Sequence, residues 1–360
     1  MESNGGFWAA TSHDMILRIA QDWRNFTSTA GVALDRPSFD AIPALVPIEL
    51  DPPRQRLFRK QVNPTLTVKA VAPLEDQIRA IADELIDSFI ERGSCDIAKD
   101  FARKFPGTVF FRLITHCSDE DFRQAEPAAR EISFESEDKE KFAAAAARLR
   151  AWAARVFESR NGQPESDDLV NAIMHLADGG ETWLENEYVT GLQLLAQGGI
   201  GTSASAIGAI MIALSQDGEL QARVRGDLSL IPDLIEEILR LESPVPLMFR
   251  TAQRDIEIEG QQIKAGDKIC LIFGAAGRDP AVFDHADQID LHRPHCRHLT
   301  FGAGVHRCIG SNLARIQIRV AIQQLLTRLG PFRIPDGAEI EYSSRQSRGP
   351  TSIPLAFSPE

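Results

Sequence analysis

Cysteine is scarce in this 360-residue chain, and the pattern excludes a disulfide framework. Cys95, Cys117, Cys270, Cys296 and Cys308 are odd in number and widely scattered. A reducing compartment is therefore expected, and the chain is placed in the cytoplasm. Excess positive charge is also missing: a formal net charge of −12 argues against nucleic acid as the main partner. The opening Met1-Glu2-Ser3-Asn4-Gly5-Gly6 lacks the basic and apolar regions of a secretory leader. No internal repeat, low-complexity tract or composition break marks a linker. The expectation is one domain over residues 1–360, present as a monomer.

Long hydrophobic runs are missing too, with one exception. From Val189 to Gln216 no residue is charged, a length that could cross a bilayer. Gln193, Gln197, Thr202, Ser203 and Ser205 spread polarity through it, and glycines cluster at Gly198, Gly199 and Gly201. A helix apolar on most sides can equally lie at the centre of a large soluble domain, and that reading is preferred, with no membrane partner.

What is present is ordinary globular material, 43% hydrophobic and 25% charged. Most of it reads as helix. Leu74, Ile78, Ile81, Leu85 and Phe89 follow helical spacing, with Gly93 near the end. A second helix runs through the alanine-rich stretch from Phe142 to Val156, and the polar segment Asn161–Asp168 reads as a loop. Between Asp255 and Phe273 the period changes to two. Ile256 and Ile258, then Ile269, Leu271 and Phe273, mark short strands, with Gly260 and Gly266 as turns. The fold class expected is mainly α with a minor β portion.

The most informative residue is Cys308, which follows a glycine-rich loop and precedes a long amphipathic run: Phe301-Gly302-Ala303-Gly304-Val305-His306-Arg307-Cys308-Ile309-Gly310. A thiol at a helix N-terminus is easily ionised by unpaired N–H groups and the helix dipole. Flanking glycines leave no side chain to keep a large flat ligand from the sulfur. A thiolate at the face of a macrocycle is the haem-thiolate arrangement. Two plainer readings stand beside it. A buried cysteine is commonly an inert small hydrophobe, and Cys296, His298, His306 and Cys308 together match the ligand count of a zinc site.

Two further groups follow the same order along the chain. Glu237 and Arg240 lie three apart on one helix face and can pair. Gly198-Gly199-Ile200-Gly201-Thr202-Ser203 puts three glycines inside the charge-free segment, each costing about 1 kcal/mol in a helix interior. A ligand plane close to the backbone, a local opening of the helix, or a loop dividing two shorter helices would each account for them.

Together these residues resemble the cytochrome P-450 family of haem-thiolate monooxygenases, over essentially the whole chain. Phe301-x-x-Gly304-x-His306-x-Cys308-x-Gly310 is similar to that family's haem-binding loop, with Gly302 inside it. Glu237-x-x-Arg240 with Arg293 is similar to its Glu–Arg–Arg triad, and Gly198-Gly199-Ile200-Gly201-Thr202 to its oxygen-activating turn. The likeness is to the bacterial camphor-hydroxylase type. Asn4-Gly5-Gly6-Phe7-Trp8 resembles an early strand region, and Asp51-Pro52-Pro53-Arg54-Gln55-Arg56-Leu57-Phe58-Arg59 the start of a helix.

The resemblance implies haem b with Cys308 as axial thiolate, and Gln55, Arg59, Arg250 and His306 on its propionates. Arginine suits such a carboxylate pair through charge-assisted hydrogen bonds. It implies dioxygen as co-substrate and a ferredoxin docking on a basic patch with Arg56 and Arg59. It also implies a small apolar substrate, terpenoid-like or aromatic, in a pocket lined by Leu45, Ile48, Leu194, Val245, Pro246 and Leu247. Core packing is the plainer role of those six.

Three departures stand out. Gly201 replaces the acid that the family sets before the threonine, leaving Thr202 and a water-orienting Gln197 for proton supply. A haem-containing sensor with little turnover is therefore a second reading. The family's members carry a further helix and strand ahead of Gly5, so either the true start lies upstream or an exposed sheet edge is expected. The camphor-gripping tyrosine falls near Pro43.

Overall fold

The computed structural model describes residues 6–34, 43–135, 138–176, 182–294, 296–343 and 348–359. The chain opens with β1 (Trp8–Ala10), α1 (His13–Gln21) and β2 (Phe26–Thr27), followed by α2 (Arg54–Val62), α3 (Val68–Val71) and α4 (Glu75–Asp87). Next come β3 (Ser94–Asp96), α5 (Phe105–Val109), α6 (Asp119–Arg130), α7 (Lys139–Arg160) and α8 (Leu169–Met174). The long α9 (Glu185–Gln216) precedes α10 (Gly218–Gly226) and α11 (Ile231–Glu242). The β-rich stretch is β4 (Met248–Ala252), β5 (Ile256–Ile258), β6 (Gln261–Ile263) and β7 (Lys268–Leu271), ending in the one-turn α12 (Phe273–Ala276). Last are α13 (Ser311–Arg328), β8 (Leu329–Arg333), β9 (Glu341–Tyr342), β10 (Pro350–Ser352) and β11 (Pro354–Pro359).

The charge-free segment forms one unbroken helix, so the reading of two helices joined by a loop does not hold. Acids in the first turn of α9, Glu185 and Glu187, suit the positive end of its dipole, and Glu187 Oε2 accepts the Leu184 N–H at 2.8 Å. It is long and apolar enough to span a membrane, but 67% of its apolar window is buried inside the protein. That burial is what an all-round apolar helix needs in the middle of a bundle. α9 packs against α5, α7, α11 and α13. The main core is drawn from these helices and from α2 and α4.

A smaller core joins α1 to a four-stranded sheet ordered β1-β7-β4-β2. β1 pairs parallel with β7, Trp8 opposite Ile269, and takes one end of that order. β4 runs antiparallel to β7, Arg250 opposite Ile269. Ile256 and Ile258 form β5, Ile269 and Leu271 lie on β7, and Gly260 and Gly266 turn with φ of +77° and +91°. Phe273 is a correction to the strand pattern, because it opens α12 instead. Asn4 and Gly5 of the early motif lie outside the described residues; Phe7 and Trp8 lead into β1. The helix marked by Ile78, Ile81 and Leu85 is α4, with Leu74 and Phe89 just beyond its ends and Gly93 in a left-handed turn, φ +64°.

Candidate haem-thiolate site

Cys308 is set by backbone geometry. Gly302 and Gly304 take φ of +65° and +66°, a conformation that costs L side chains but not glycine. The loop folds back so that the Cys308 N–H donates to Phe301 O at 2.7 Å. A Cβ on Gly304 would stand 2.5 Å from Ala20 O in α1. Those two glycines therefore serve the turn and the contact with α1. Clearance beside the sulfur comes from Gly310, where nothing lies within 4 Å of an added Cβ.

α13 begins at Ser311, with Gly310 as its cap, so Cys308 sits ahead of the helix and not in its first turn. This corrects the expectation of an easily ionised thiol. Burial pushes the Cys308 thiol above its usual range, against the Gly310 N–H and the charges of Arg59, Arg307 and Arg315. The residue is nonetheless exposed. An exposed side chain whose thiol is desolvated lies in an internal space, as a cofactor ligand requires.

The residues expected at the oxygen-activating wall lie on α9. Gly198 is exposed in the middle of this buried helix, with no atom within 4 Å of an added Cβ. Thr202, one turn on, donates its hydroxyl to Gly198 O at 2.7 Å, which occupies its proton but leaves its lone pairs free. Gly201 faces elsewhere: its Cβ would meet Cβ and Oγ of Ser133, each at 2.9 Å. Gln197 is half-buried one turn earlier. Gln317 Nε2 on α13 donates to Ser203 Oγ at 2.6 Å and ties the two helices together.

Four residues were expected on haem propionates, and their donors fit unequally. His306 Nε2 is buried and has no hydrogen-bond partner; Asp51 Oδ1, at 3.9 Å, is beyond hydrogen-bonding reach. Arg250 is buried, donates from Nη1 to Phe249 O at 2.8 Å, and forms no ion pair among the described residues. Burial lowers its guanidinium to about 10, opposed by Asp51, and lowers the His306 imidazole as well. Buried donors this poorly paired, one a guanidinium and one an imidazole, are costly unless an acceptor completes them, so these two fit a bound carboxylate. Arg59 donates from Nη1 to Arg307 O at 2.8 Å beside the thiol. Gln55 donates its amide to Val305 O, and the partnerless atom it leaves is the acceptor Oε1. As placed, Gln55 steadies the cysteine loop with one amide N–H and keeps a second.

Gln55, Arg56, Arg59, Lys60, Asn63, Gly304 and Val305 line an open crevice of about 330 Å³ on the cysteine-loop side. Leu45, Ile48, Leu194, Val245, Pro246 and Leu247 are all half-buried, and none belongs to either packed core.

The triad forms as a buried cluster. Arg240 Nε and Nη2 donate to Glu237 Oε1 and Oε2, each at 2.9 Å, and Arg293 Nε reaches Oε1 at 2.9 Å. Burial opposes ionisation of Glu237, but these donors and the Asp290 N–H hold its carboxyl below the usual range.

The zinc alternative does not survive. Among the described residues no three His, Cys, Asp or Glu converge on a metal position. Cys296 lies 3.4 Å from Glu237 Oε1 and His298 Nε2 3.1 Å from Glu236 Oε2, both turned toward α11. Sequence reasoning missed Asp51, beside His306, although it opens the quoted Asp-Pro-Pro segment. It also missed Ser133 and Glu236, which carry no motif.

A mainly helical fold, a cysteine held by a glycine-rich loop and a buried Glu–Arg–Arg cluster fit a haem-thiolate protein. The chain belongs to the cytochrome P450 family, whose model matches residues 132–339. It is similar to a steroid C26-monooxygenase of Mycolicibacterium smegmatis, 29% identical over 98% of this chain and 88% of that one. Among solved structures it resembles HmtN, a post-tailoring hydroxylase of himastatin biosynthesis, with TM-score 0.89 and 28% identity over 99% of this chain and 93% of that one. CYP101J2 is similar at TM-score 0.88 and 28% identity, over 99% and 88% of the two chains. The protein is thus a monooxygenase of the bacterial P450 type, and its family's cofactor is haem b with an axial cysteine thiolate.

Proposed function

We propose that this chain, as one haem-binding domain over residues 1–360, hydroxylates a small apolar substrate with dioxygen and electrons from a ferredoxin in the cytoplasm. The observation that carries the reading is the pair of buried, under-paired donors, the Arg250 guanidinium and the His306 imidazole, in the same site as Cys308. Haem, when bound, supplies dioxygen activation and the oxidising chemistry. Cys308 is the thiolate ligand, held by Phe301 O and the Gly310 N–H. Arg250, His306 and Arg59 hold the propionates. Gln55 keeps Val305 and hence the cysteine loop in place.

On the α9 side, Gly198 would leave room for the ring, and Thr202, whose O–H donates to Gly198 O, keeps its oxygen as an acceptor for a water or other proton donor. Leu45, Ile48, Leu194, Val245, Pro246 and Leu247 exclude water and orient an apolar, terpenoid-like or aromatic substrate. The similar steroid monooxygenase and himastatin hydroxylase are consistent with an apolar or ring-rich compound. Arg56, Arg59 and Lys60 around the open crevice offer an acidic ferredoxin a positive surface on a chain of net charge −12.

Gly201 favours a second reading, a haem-containing ligand-binding protein with little turnover, because Ser133 fills the space an acid would need. Reconstitution with a ferredoxin and its reductase separates the two. Substrate-dependent NADH consumption matched by hydroxylated product supports the monooxygenase; a spin-state shift on ligand binding without product supports the binding protein.

A further inference from the structure

We propose that Arg315 and Glu236 tune the reduction potential of the iron, Arg315 as one of the positive charges near the thiolate ligand and Glu236 as the counter-charge that fixes and weakens it. The inference rests on Cys308 being that ligand. The ring of Phe301, whose carbonyl accepts the Cys308 N–H, contacts two side chains. The Arg315 guanidinium stands 4.4 Å from its centroid, and the His298 ring is 5.7 Å away. One carboxylate holds both. Glu236 accepts Arg315 Nε at 2.7 Å and Nη2 at 2.8 Å, and His298 Nε2 lies 3.1 Å from Oε2.

A bidentate grip gives the guanidinium a fixed plane and place, which a free surface arginine lacks. With Arg59 and Arg307, Arg315 is one of three cations whose charge reaches the sulfur. It is also the one fixed by a carboxylate from α11. Reducing the iron adds one negative charge to the iron–thiolate unit, so a nearby cation favours the reduced form and an anion disfavours it. Arg315 and Glu236 are positioning residues here; neither touches the reacting atoms.

Opposite signs make the test. Haem-loaded wild type, Arg315→Met, Arg315→Lys and Glu236→Gln are titrated spectroelectrochemically at one pH and ionic strength, and the ferrous–CO band of each is recorded. Arg315→Met should lower the midpoint potential, with a several-fold fall in the ferrous-to-ferric ratio at a fixed poise. Glu236→Gln should raise it, and Arg315→Lys should stay near wild type. If Arg315→Met does not fold, Glu236→Gln decides alone: a rise supports the proposal, and a fall or no change overturns it. Shifts of both variants in one direction indicate loosened packing of Phe301 and overturn it. A wild-type CO band without thiolate character defeats the ligand reading and this proposal together; a thiolate band with unmoved potentials defeats this proposal alone.

Discussion

Arg240 closes on Glu237 with two parallel hydrogen bonds of 2.9 Å, and neither side chain reaches solvent beyond 2% of its surface. The remaining donors of Arg240 end on Gly277 O at 2.7 Å, Ala286 O at 2.5 Å and Gln288 O at 2.8 Å. The pair therefore pins α11 to the segment that leads into the cysteine loop. Removing one partner leaves a buried charge uncompensated, a loss of roughly 3–5 kcal/mol. Arg240→Ala should abolish soluble, haem-competent protein, measured as haem content per chain after expression. Arg293, with 7% of its side chain exposed, should cost less as Arg293→Ala.

Gly304 and Gly198 should respond oppositely to alanine. At Gly304 the added Cβ meets a positive φ and Ala20 O at 2.5 Å, so Gly304→Ala should lower the unfolding midpoint by a loss on the order of 1–3 kcal/mol or more. At Gly198 the Cβ meets nothing, and alanine is the better helix former by about 1 kcal/mol. Gly198→Ala should fold at least as well as wild type while disturbing the bound haem. Thermal unfolding of the haem-free protein and the Soret spectrum of the loaded one read these two effects separately.

Gly201→Asp, which would restore the family's acid, should not raise coupling by itself. Its Cβ would stand 2.9 Å from Ser133 Cβ and Oγ, and Ser133 is buried with its hydroxyl on Ala129 O at 2.9 Å. The single variant should lose stability, as overpacked sites do by about 1–3 kcal/mol. Combining it with Ser133→Gly should recover the melting temperature and increase product per NADH consumed. Equal coupling in the folded double variant and wild type would count against a missing acid as the limit on proton supply.

Much of this was legible because the chemistry left patterns in the chain. The charge-free run from Val189 marked the central helix by composition alone, and the Glu237–Arg240 spacing marked a pair that burial then made consequential. Position in space was not legible. Nothing local to Ser133 shows that it occupies the place beside Gly201, because that contact joins a residue just past α6 to α9. Cys308 read as an ionised helix-terminal thiol since sequence shows the coming helix but neither its start at Ser311 nor the burial of the sulfur. Phe273 continued a period of two and yet began α12, where the chain leaves the sheet. Nothing near Gln55 in sequence shows that one of its amide N–H groups goes to a carbonyl 250 residues away.

Acid should weaken the protein in a defined window. Burial alone would raise the Glu236 carboxyl, but hydrogen bonds from Arg315 and His298 outweigh it and bring the group from its ordinary 4.5 down to about 2. A group depressed on folding adds stability above its unfolded value, and that stability is lost as pH falls toward the folded one. Wild type should therefore lose stability between about pH 4.5 and 2. Glu236→Gln should show a shallower fall over that window in urea unfolding at stepped pH, because no proton is taken up at that position.

Cys308 as a thiolate ligand of haem iron is read out by the reduced carbon monoxide difference spectrum of the purified protein. Wild type should give a strongly red-shifted Soret band, and Cys308→Ser, with Cys296 and the other cysteines intact, should lose it. A band at the position of neutral-thiol or histidine ligation, or a red-shifted band that survives Cys308→Ser, would contradict that ligation.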